Sequence, residues 1–445
     1  MNKRTIYTLP KGTEPNGTNL KALIDLHQSD VSVFYRLESY VDDNPDMGRT
    51  SPNELLTTHN FAQYITSINT GYLLGNPVDY KSESKTKALD PITENYNGQT
   101  IAELDTELEE DCSMFGQAFE NVFTDETSTA MSAKLSVYNT IVVYDNTFKH
   151  DKMFALYYSQ VVDDKGSDVP NKYDLTIWTD TTISYHTLTK DELTDDPEQA
   201  AVPHFFKVVP VVHYMNNRRL KGDYEPVISL IDAYNILQSD RVIDREKLVD
   251  AILAFYGSKV SAEDQKAIKD NRVVGLPEGS KAEFIVKQID EQGADVLRQT
   301  LAADIHKFSM TPDLTDETFG AASSGVSILY KLLAFEQNIK TKERLFERSL
   351  LNRFALYVTV LSVQSKLTGG NIDIKTVDAI FTRSLPKNNF ETSQMINNLE
   401  GLVSNETLIS QLDFVQDASA EVEKVAEEKP DTGDFATNNF TKETV

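Results

Sequence analysis

The sequence predicts an α+β fold in which helices come first, an antiparallel sheet second and two very long helices last. Three observations predict it. Amphipathic helical spacing dominates residues 19–116. β-branched and aromatic residues, broken by Asp, Asn, Gly and Lys turns, dominate 117–215. Two stretches, 224–256 and 326–367, then run almost free of proline and glycine.

The first predicted helix is "NLKALIDLHQSDVSVFYRLESYV" (19–41), closed by the turn formers "DDNPDMG". A second, "SPNELLTTHNFAQYITSINTGYLLG" (51–75), has Ser51 as N-cap, Pro52 at the first helical position and Glu54 at the third, and Pro77 sets an extended exit. A third covers 98–116. The runs "QAFENVFTD", "MSAKLSVYNTIVVYDN", "KMFALYYSQVVDD", "YDLTIWTDTTISYHTLT" and "HFFKVVPVVHYMN" read as a meander of strands, with the single Trp178 on one of them.

The stretch 224–256 reads as one helix, and about 30 residues make a rod of roughly 45 Å. Two short strands around a Pro-Glu-Gly-Ser turn are expected at 270–289, then a helix over 290–310 and a turn-rich loop, "TPDLTDETFGAASSG" (311–325). The helix over 326–367 is expected to span roughly 60 Å. Leu329, Leu332, Leu333, Glu336, Ile339 and Lys340 give its first half an amphipathic pattern, whereas "FALYVTVLSVQ" is apolar all round and should be buried. Short helices follow in "ETSQMINNLEGL" and "SNETLISQLDFV". The acidic tail 417–445 is expected to be disordered past residue 428.

The 445 residues are enough for two or three domains, and 40% hydrophobic with 25% charged residues is ordinary for a soluble globular chain. No run reaches the ~18 to 20 apolar residues of a membrane span, so no membrane partner is expected. The N-terminus has basic residues but no apolar core of a secretory signal, and synthesis in a cytosol is the expectation. The net charge of −26, from 69 acids against 43 bases, argues against a basic nucleic-acid grip. It does not argue against a surface that DNA slides past, since like charge keeps such contact weak.

Chemistry finds little foothold. The lone Cys112 excludes a disulfide within one chain and reads as a half-buried helix cysteine. Seven scattered histidines contain no metal-binding pair, so no metal and no cofactor is expected. "GLPEGSKA" (275–282) is one residue short of a phosphate loop and is followed by a strand, which makes it a hairpin turn. "FGAASSGVS" lacks the flanks of a nucleophile elbow, and the acids of "ELEED" (107–111) read as a solvated helix face. The chain is not expected to be an enzyme, and no catalytic residue is assigned.

Several phrases, in this order, resemble the portal proteins of tailed bacteriophages, above all those of long-tailed phages of Gram-positive hosts. They are "ITSINTGYLLGNPVDY" (65–80), "FGQAFENVFTD" (115–125), the passage "VVPVVHYMNNRRLKGDYEPVISLIDAYNILQSDRVIDREKLVDAILAFYG" and the Phe-Gly…Ser-Gly phrase at 319–325, together covering about residues 50–360. The resemblance implies a portal-like subunit: a wing (1–222), a stem helix (223–256), a clip (257–289), a second stem helix (290–310), a tunnel loop (311–325), a spine helix (326–367), a helical crown (368–428) and an acidic tail (429–445).

It also implies a ring of twelve or thirteen copies at one capsid vertex of the virion, made in the host bacterial cytoplasm. Double-stranded DNA would pass through it during packaging and ejection. Implied partners are the terminase large subunit, a head-completion or adaptor protein, and the major capsid and scaffold proteins. Thr311, Asp313, Asp316, Glu317, Phe319, Gly320 and Ser324 would belong to the tunnel loop. Lys331, Lys340 and Lys342 are the candidate DNA-facing bases, and Lys281, Glu283 and Lys287 the candidate clip residues. The competing reading is a non-catalytic helical adaptor or scaffold, monomeric or dimeric, with the long helices packed into an intramolecular bundle.

Overall fold

The computed structural model describes residues 6–43, 57–82, 89–248, 252–257, 278–285, 290–315, 325–364, 372–383 and 389–412, with Arg4, Ser261 and isolated positions between 415 and 425. The chain divides into two compact units, one of residues 1–315 and 332–384, the other of 316–331 and 385–445.

In the larger unit, β1 (Tyr7–Leu9) precedes α1 (Gly17–Val41), whose Asn16 side chain caps the helix by accepting from the Asn19 amide. Next come α2 (Phe61–Leu74), β2 (Asp79–Ser82), α3 (Asp90–Gly98) and α4 (Ile101–Phe115). The helix expected from 51 is thus shorter. Ser51, Pro52 and Glu54 lie outside the described residues, Thr57–Asn60 is not helical, and Asn60 is the cap that accepts from the Gln63 amide. The expected helix at 98–116 appears as α4, and α3 before it was not foreseen.

The meander is present as β3 (Gln117–Thr124), β4 (Ala130–Leu135), β5 (Thr140–Asp145), β6 (Lys152–Val162), β7 (Asp168–Trp178), β8 (Thr182–Thr189), β9 (Glu192–Asp195), β10 (Val202–Pro203) and β11 (Val211–Met215). It forms two sheets. One runs β1-β5-β6-β7-β8-β10 with β9 also on β8, and the other runs β11-β3-β4. All these pairings are antiparallel except β1 with β5. The apolar stripe of α1 (Leu20, Leu23, Ile24) packs with Ile141, Val143, Phe154 and Leu156 of the larger sheet, while Phe34 and Leu37 belong to a second core with Phe119, Val211 and Tyr224.

After a single 3-10 turn at Glu225–Val227 comes α5 (Ile228–Leu248), then β12 (Ile252–Tyr256), β13 (Lys281–Ile285), α6 (Glu291–Ser309) and α7 (Gly325–Val363). The single helix expected over 224–256 is therefore corrected. Its last residues are a strand in register with β13, from Ile252 opposite Ile285 to Tyr256 opposite Lys281. "ILAFY" is β-branched and aromatic, and a cross-strand partner supplies the ladder that a helix would otherwise satisfy internally. The expected partner strand before the Pro-Glu-Gly-Ser turn lies outside the described residues.

The 39 residues of α7 make a rod of about 58 Å. Phe354, Leu356, Tyr357, Val358, Val360 and Leu361 are buried, as the apolar stretch predicts, whereas Ser362 and Val363 near its end are exposed. Then β14 (Val377–Ile380) pairs with β2, an association across almost 300 residues that no local pattern announced. In the smaller unit, α8 (Asn389–Leu399) and α9 (Asn405–Ile409) match the two expected short helices. The tail past 428 lies outside the described residues. No described helix is long and apolar enough to cross a membrane.

Two histidines are buried uncharged. His213 lies between the Tyr144 hydroxyl (3.0 Å) and the Gln117 side-chain oxygen (3.2 Å), and burial pushes its pKa down to about 3. Burial likewise pushes His27, which meets the Tyr158 hydroxyl at 2.8 Å, down to about 4. An unfolded histidine takes up its proton below about pH 6.5 while these two do not, so each contributes stability that is lost as pH falls through 6.5 toward the folded value. At pH 5 the loss is about 2 kcal/mol per histidine relative to pH 7. The urea midpoint of His213→Gln should accordingly vary less between pH 7 and pH 5 than that of the unaltered protein. Equal pH dependence of the two would contradict the buried neutral state.

Candidate functional site

The features that bear on function are built around α5, α6 and α7. The two shorter helices run antiparallel. The end of α5 meets the start of α6 through Glu291, which pairs with Arg241 and, at 3.2 Å, with Arg245, and these hydrogen bonds hold its carboxyl below the usual range. At the other end, Ile228 and Ile231 share a core with Ile305. The β12–β13 pair follows α5 and precedes α6, where Lys281 and Glu283 pair on the exposed strand.

The outer face of α6 mixes apolar and polar residues. Val296, Leu297, Phe308 and the C-cap residue Met310 are all about half exposed or more, beside exposed Gln299, Thr300 and Lys307. Val296 and exposed Ala303, seven residues apart, lie along one line of the helix, and Met310 follows just past its last turn.

Where α6 ends, Met310 turns into the left-handed region (φ 58) and the chain is fastened at once. Thr311 is buried, and its hydroxyl accepts from Asn69 of α2 at 3.1 Å. The Tyr64 hydroxyl donates to the Pro312 carbonyl at 2.9 Å and accepts from the Leu314 amide at 3.0 Å. His306 Nδ1 lies 3.1 Å from the Thr311 carbonyl, a contact in which the ring must donate. Asp313 accepts from both the amide and the hydroxyl of Thr315, at 2.9 and 2.6 Å.

Behind this, α7 is bolted into the larger unit by two buried cations. Lys342 Nζ lies 2.7 Å from Glu109 and 2.8 Å from Asp223, whose carboxylate also accepts from Ser113 and Asn216. Burial alone would push the Lys342 pKa down. The two carboxylates more than offset that and keep its ammonium charged, well above the usual lysine range. Arg353 reaches Asp105 at 2.6 Å and Glu120 at 3.6 Å, lies over the Tyr96 ring, and Glu120 is also bound by the Tyr214 hydroxyl at 2.6 Å. A third buried pair joins Arg4 to Glu225.

The phage portal protein family of the SPP1 Gp6-like type matches the chain over residues 19–433. The chain belongs to that family. It is 24% identical to the portal protein of Bacillus phage SPP1, an alignment that covers 96% of this chain and 89% of the relative. It is 22% identical to the portal protein of Clostridium phage phiCD119, with 90% of each covered. Portal proteins are virion components that assemble as rings and conduct DNA, and that general role, structural rather than enzymatic, is this chain's. Among the described residues no group of three or more His, Cys, Asp or Glu side chains could hold a metal ion. Cys112 is fully buried, and burial raises its thiol well above the usual range.

Two of the phrases that resemble portal proteins supply carboxylates to the buried charge network, whose cations Arg4, Lys342 and Arg353 and acids Asp105 and Glu109 lie outside those phrases. In "FGQAFENVFTD", Gly116 ends α4 at φ +80 and a Cβ there would collide with the Leu220 carbonyl, while Glu120 serves Arg353. In "KGDYE", Gly222 passes against Met114, Asp223 serves Lys342 and Glu225 serves Arg4. In "LIDAYNILQSD", Asn235 accepts from the His59 amide and Ser239 from the Thr57 amide.

The portal candidates scatter under this geometry. Thr311 is interior, anchoring the loop's first residue instead of lining its tip, and Asp313 braces the same root. Asp316, Glu317, Phe319, Gly320 and Ser324 lie outside the described residues, as does Lys287. Lys331 and Lys340 are exposed, Lys340 with Glu336 at 3.8 Å. Lys342, expected to face DNA, is corrected to a core residue. Two residues along a helix turn the side chain by about 200°, so Lys340 and Lys342 occupy opposite faces. Lys342 shares the buried face of Phe335, Ile339, Phe346 and Arg353. Nor is "ELEED" a solvated face, since Glu109 and Asp111 are buried. Tyr64, Asn69 and His306 were missed, and only their partners reveal them.

Removing the Lys342 ammonium leaves two buried carboxylates without their cation, so Lys342→Ala should cost roughly 3–5 kcal/mol of stability. Urea unfolding of the monomer would measure it, and a cost below about 1 kcal/mol would be inconsistent with a buried pair.

Proposed function

We propose that this chain forms a closed ring of twelve or thirteen copies at one capsid vertex, with α5 and α6 as the stem wall and 311–325 as the loop at the narrowest part of the DNA channel. The observation that carries the reading is the exposure of Val296, Leu297, Phe308 and Met310 on and just past α6. A ring needs each subunit to bury one side against its neighbour in a heterologous contact, and exposed apolar side chains spread over several turns of a helix serve that need. Residues 257–289, which include β13, are the clip that the terminase large subunit engages during packaging and a head-completion protein engages afterwards, and β12 at the end of the 223–256 stem segment pairs with it. Lys281, Glu283 and Lys287 are its candidate contacts.

The remaining assignments follow the chain: wing to residue 222, spine from 326, crown from 368 toward the capsid interior, where capsid and scaffold proteins meet it. Synthesis takes place in the host cytoplasm. The net charge of −26 per copy gives the assembly an acidic body that DNA passes without sticking, and the acids of the loop, Asp313, Asp316 and Glu317, serve that end. Lys331 and Lys340 are left as the weak phosphate contacts.

Mass photometry of the purified protein tests the ring. Twelve copies of the 50.0 kDa chain give about 600 kDa. Species of only one or two chains, persisting with scaffold and capsid protein present, would return the helical adaptor reading. Val296→Asp combined with Met310→Asp should abolish the ring and leave the circular dichroism of the monomer unchanged, whereas intact rings would remove α6 from the interface. Replacing Asp313, Asp316 and Glu317 by lysine should impair DNA packaging with the ring intact. Normal packaging by those rings would withdraw the loop assignment.

A further inference from the structure

We infer that Tyr64, Asn69 and His306 form a clamp that fixes residues 311–314, the root of the 311–325 loop, to α2. The functional consequence rests on the channel-loop reading, but the clamp itself rests on geometry alone. A loop root is usually held by its own helix cap. Here the backbone of Thr311, Pro312 and Leu314 is held instead by side chains from α6 and from a helix some 240 residues earlier in the chain.

Tyr64 is suited to the task because one phenol oxygen both donates, to the Pro312 carbonyl, and accepts, from the Leu314 amide. The two bonds straddle Asp313 and fix three consecutive residues to one atom. Its ring is in turn held edge-on to His306 (centroids 5.5 Å apart, 88° between planes), and Phe61 also packs edge-on to the histidine at 5.8 Å. Burial raises the Tyr64 pKa, which keeps the phenol protonated and able to donate.

Asn69, fully buried, uses its amide group on both the Ile65 carbonyl of its own helix and the Thr311 hydroxyl. It thereby joins the loop root to the interior of α2. The same helix reaches α7 through Tyr72, whose hydroxyl donates to Glu336 at 2.6 Å. One rigid element therefore touches both the start of the loop and the helix that follows it. A displacement of α2 would be passed to the loop, and a push on the loop would be passed to the wing. In a ring this gives the wing, which faces the outside, a mechanical link to the channel. The clamp residues are positioning residues, with no contact to DNA required of them.

Tyr64→Phe removes both hydrogen bonds and keeps the ring contacts with His306, so the fold should survive with little change in Tm. Hydrogen exchange in assembled rings reads the clamp directly. The Leu314 amide should exchange at least tenfold faster in the variant than in the unaltered protein, and Thr311→Val should have the same direction of effect. Unchanged Leu314 exchange in both variants would overturn the clamp, whatever the loop does. DNA packaging by the same rings reads the consequence, with Asp316→Lys/Glu317→Lys as the reference for the loop. Reduced packaging by Tyr64→Phe and by the reference supports the coupling. Normal packaging by Tyr64→Phe alongside impaired packaging by the reference overturns the coupling and leaves the loop reading standing. Normal packaging by both overturns the loop reading and the coupling with it.

Discussion

Two positive charges in the middle of a long helix set the terms for the rest of the larger unit. Neither Lys342 nor Arg353 can be taken out of water alone, because an unpaired buried ion costs several kcal/mol. Each is neutralised by carboxylates that come from distant parts of the chain: Glu109 and Asp223 for one, Asp105 and Glu120 for the other. Asp105 and Glu109 are one turn apart on α4, so the two cations engage a single face of that helix. The register of α7 against α4, β3 and the segment before α5 is fixed by these contacts. Apolar packing by itself would tolerate a shift; a mismatched charge would not.

That arrangement explains why glycine is needed at two particular places. Asp223 can reach Lys342 only if the chain at 220–223 passes directly over the end of α4. Gly116 and Gly222 are where the two backbones meet, too close for any Cβ. Two of the phrases that resemble portal proteins thus hold part of a buried charge network, Glu120, Asp223 and Glu225, together with the close backbone approach at Gly116 and Gly222.

From the frame outward, the working parts are arranged in series. The α5–α6 pair carries the strand pair at one end and the loop root at the other, and exposed apolar residues stand on α6 between them. Such a rod transmits position between its ends, because helices resist bending far more than the loops that join them. Exposed Val296, Leu297 and Phe308 on one helix are at odds with a solitary soluble chain, and assembly side by side removes the conflict.

The sequence by itself determined the α+β class and the main succession of elements: the first amphipathic helix, the meander, the long helix α7 and its apolar second half are written in spacing that local sterics and burial dictate. It also carried the family, through phrases whose residues are close in sequence. Only the tertiary structure decided what depends on a distant partner. Ile252–Tyr256 became a strand because β13 was available to pair with it, and strands as short as β1, β2 and β14 have too few residues to show a period at all. Lys342 and Lys340 are the same letter two positions apart, yet one is sealed between carboxylates and the other lies in water. Likewise nothing near Tyr64 or Asn69 announces that a loop beginning some 240 residues later is tied to them. A side chain's chemistry is local, but whether its charge is solvated or its hydroxyl is bonded is set by whatever the fold brings within about 3 Å of it.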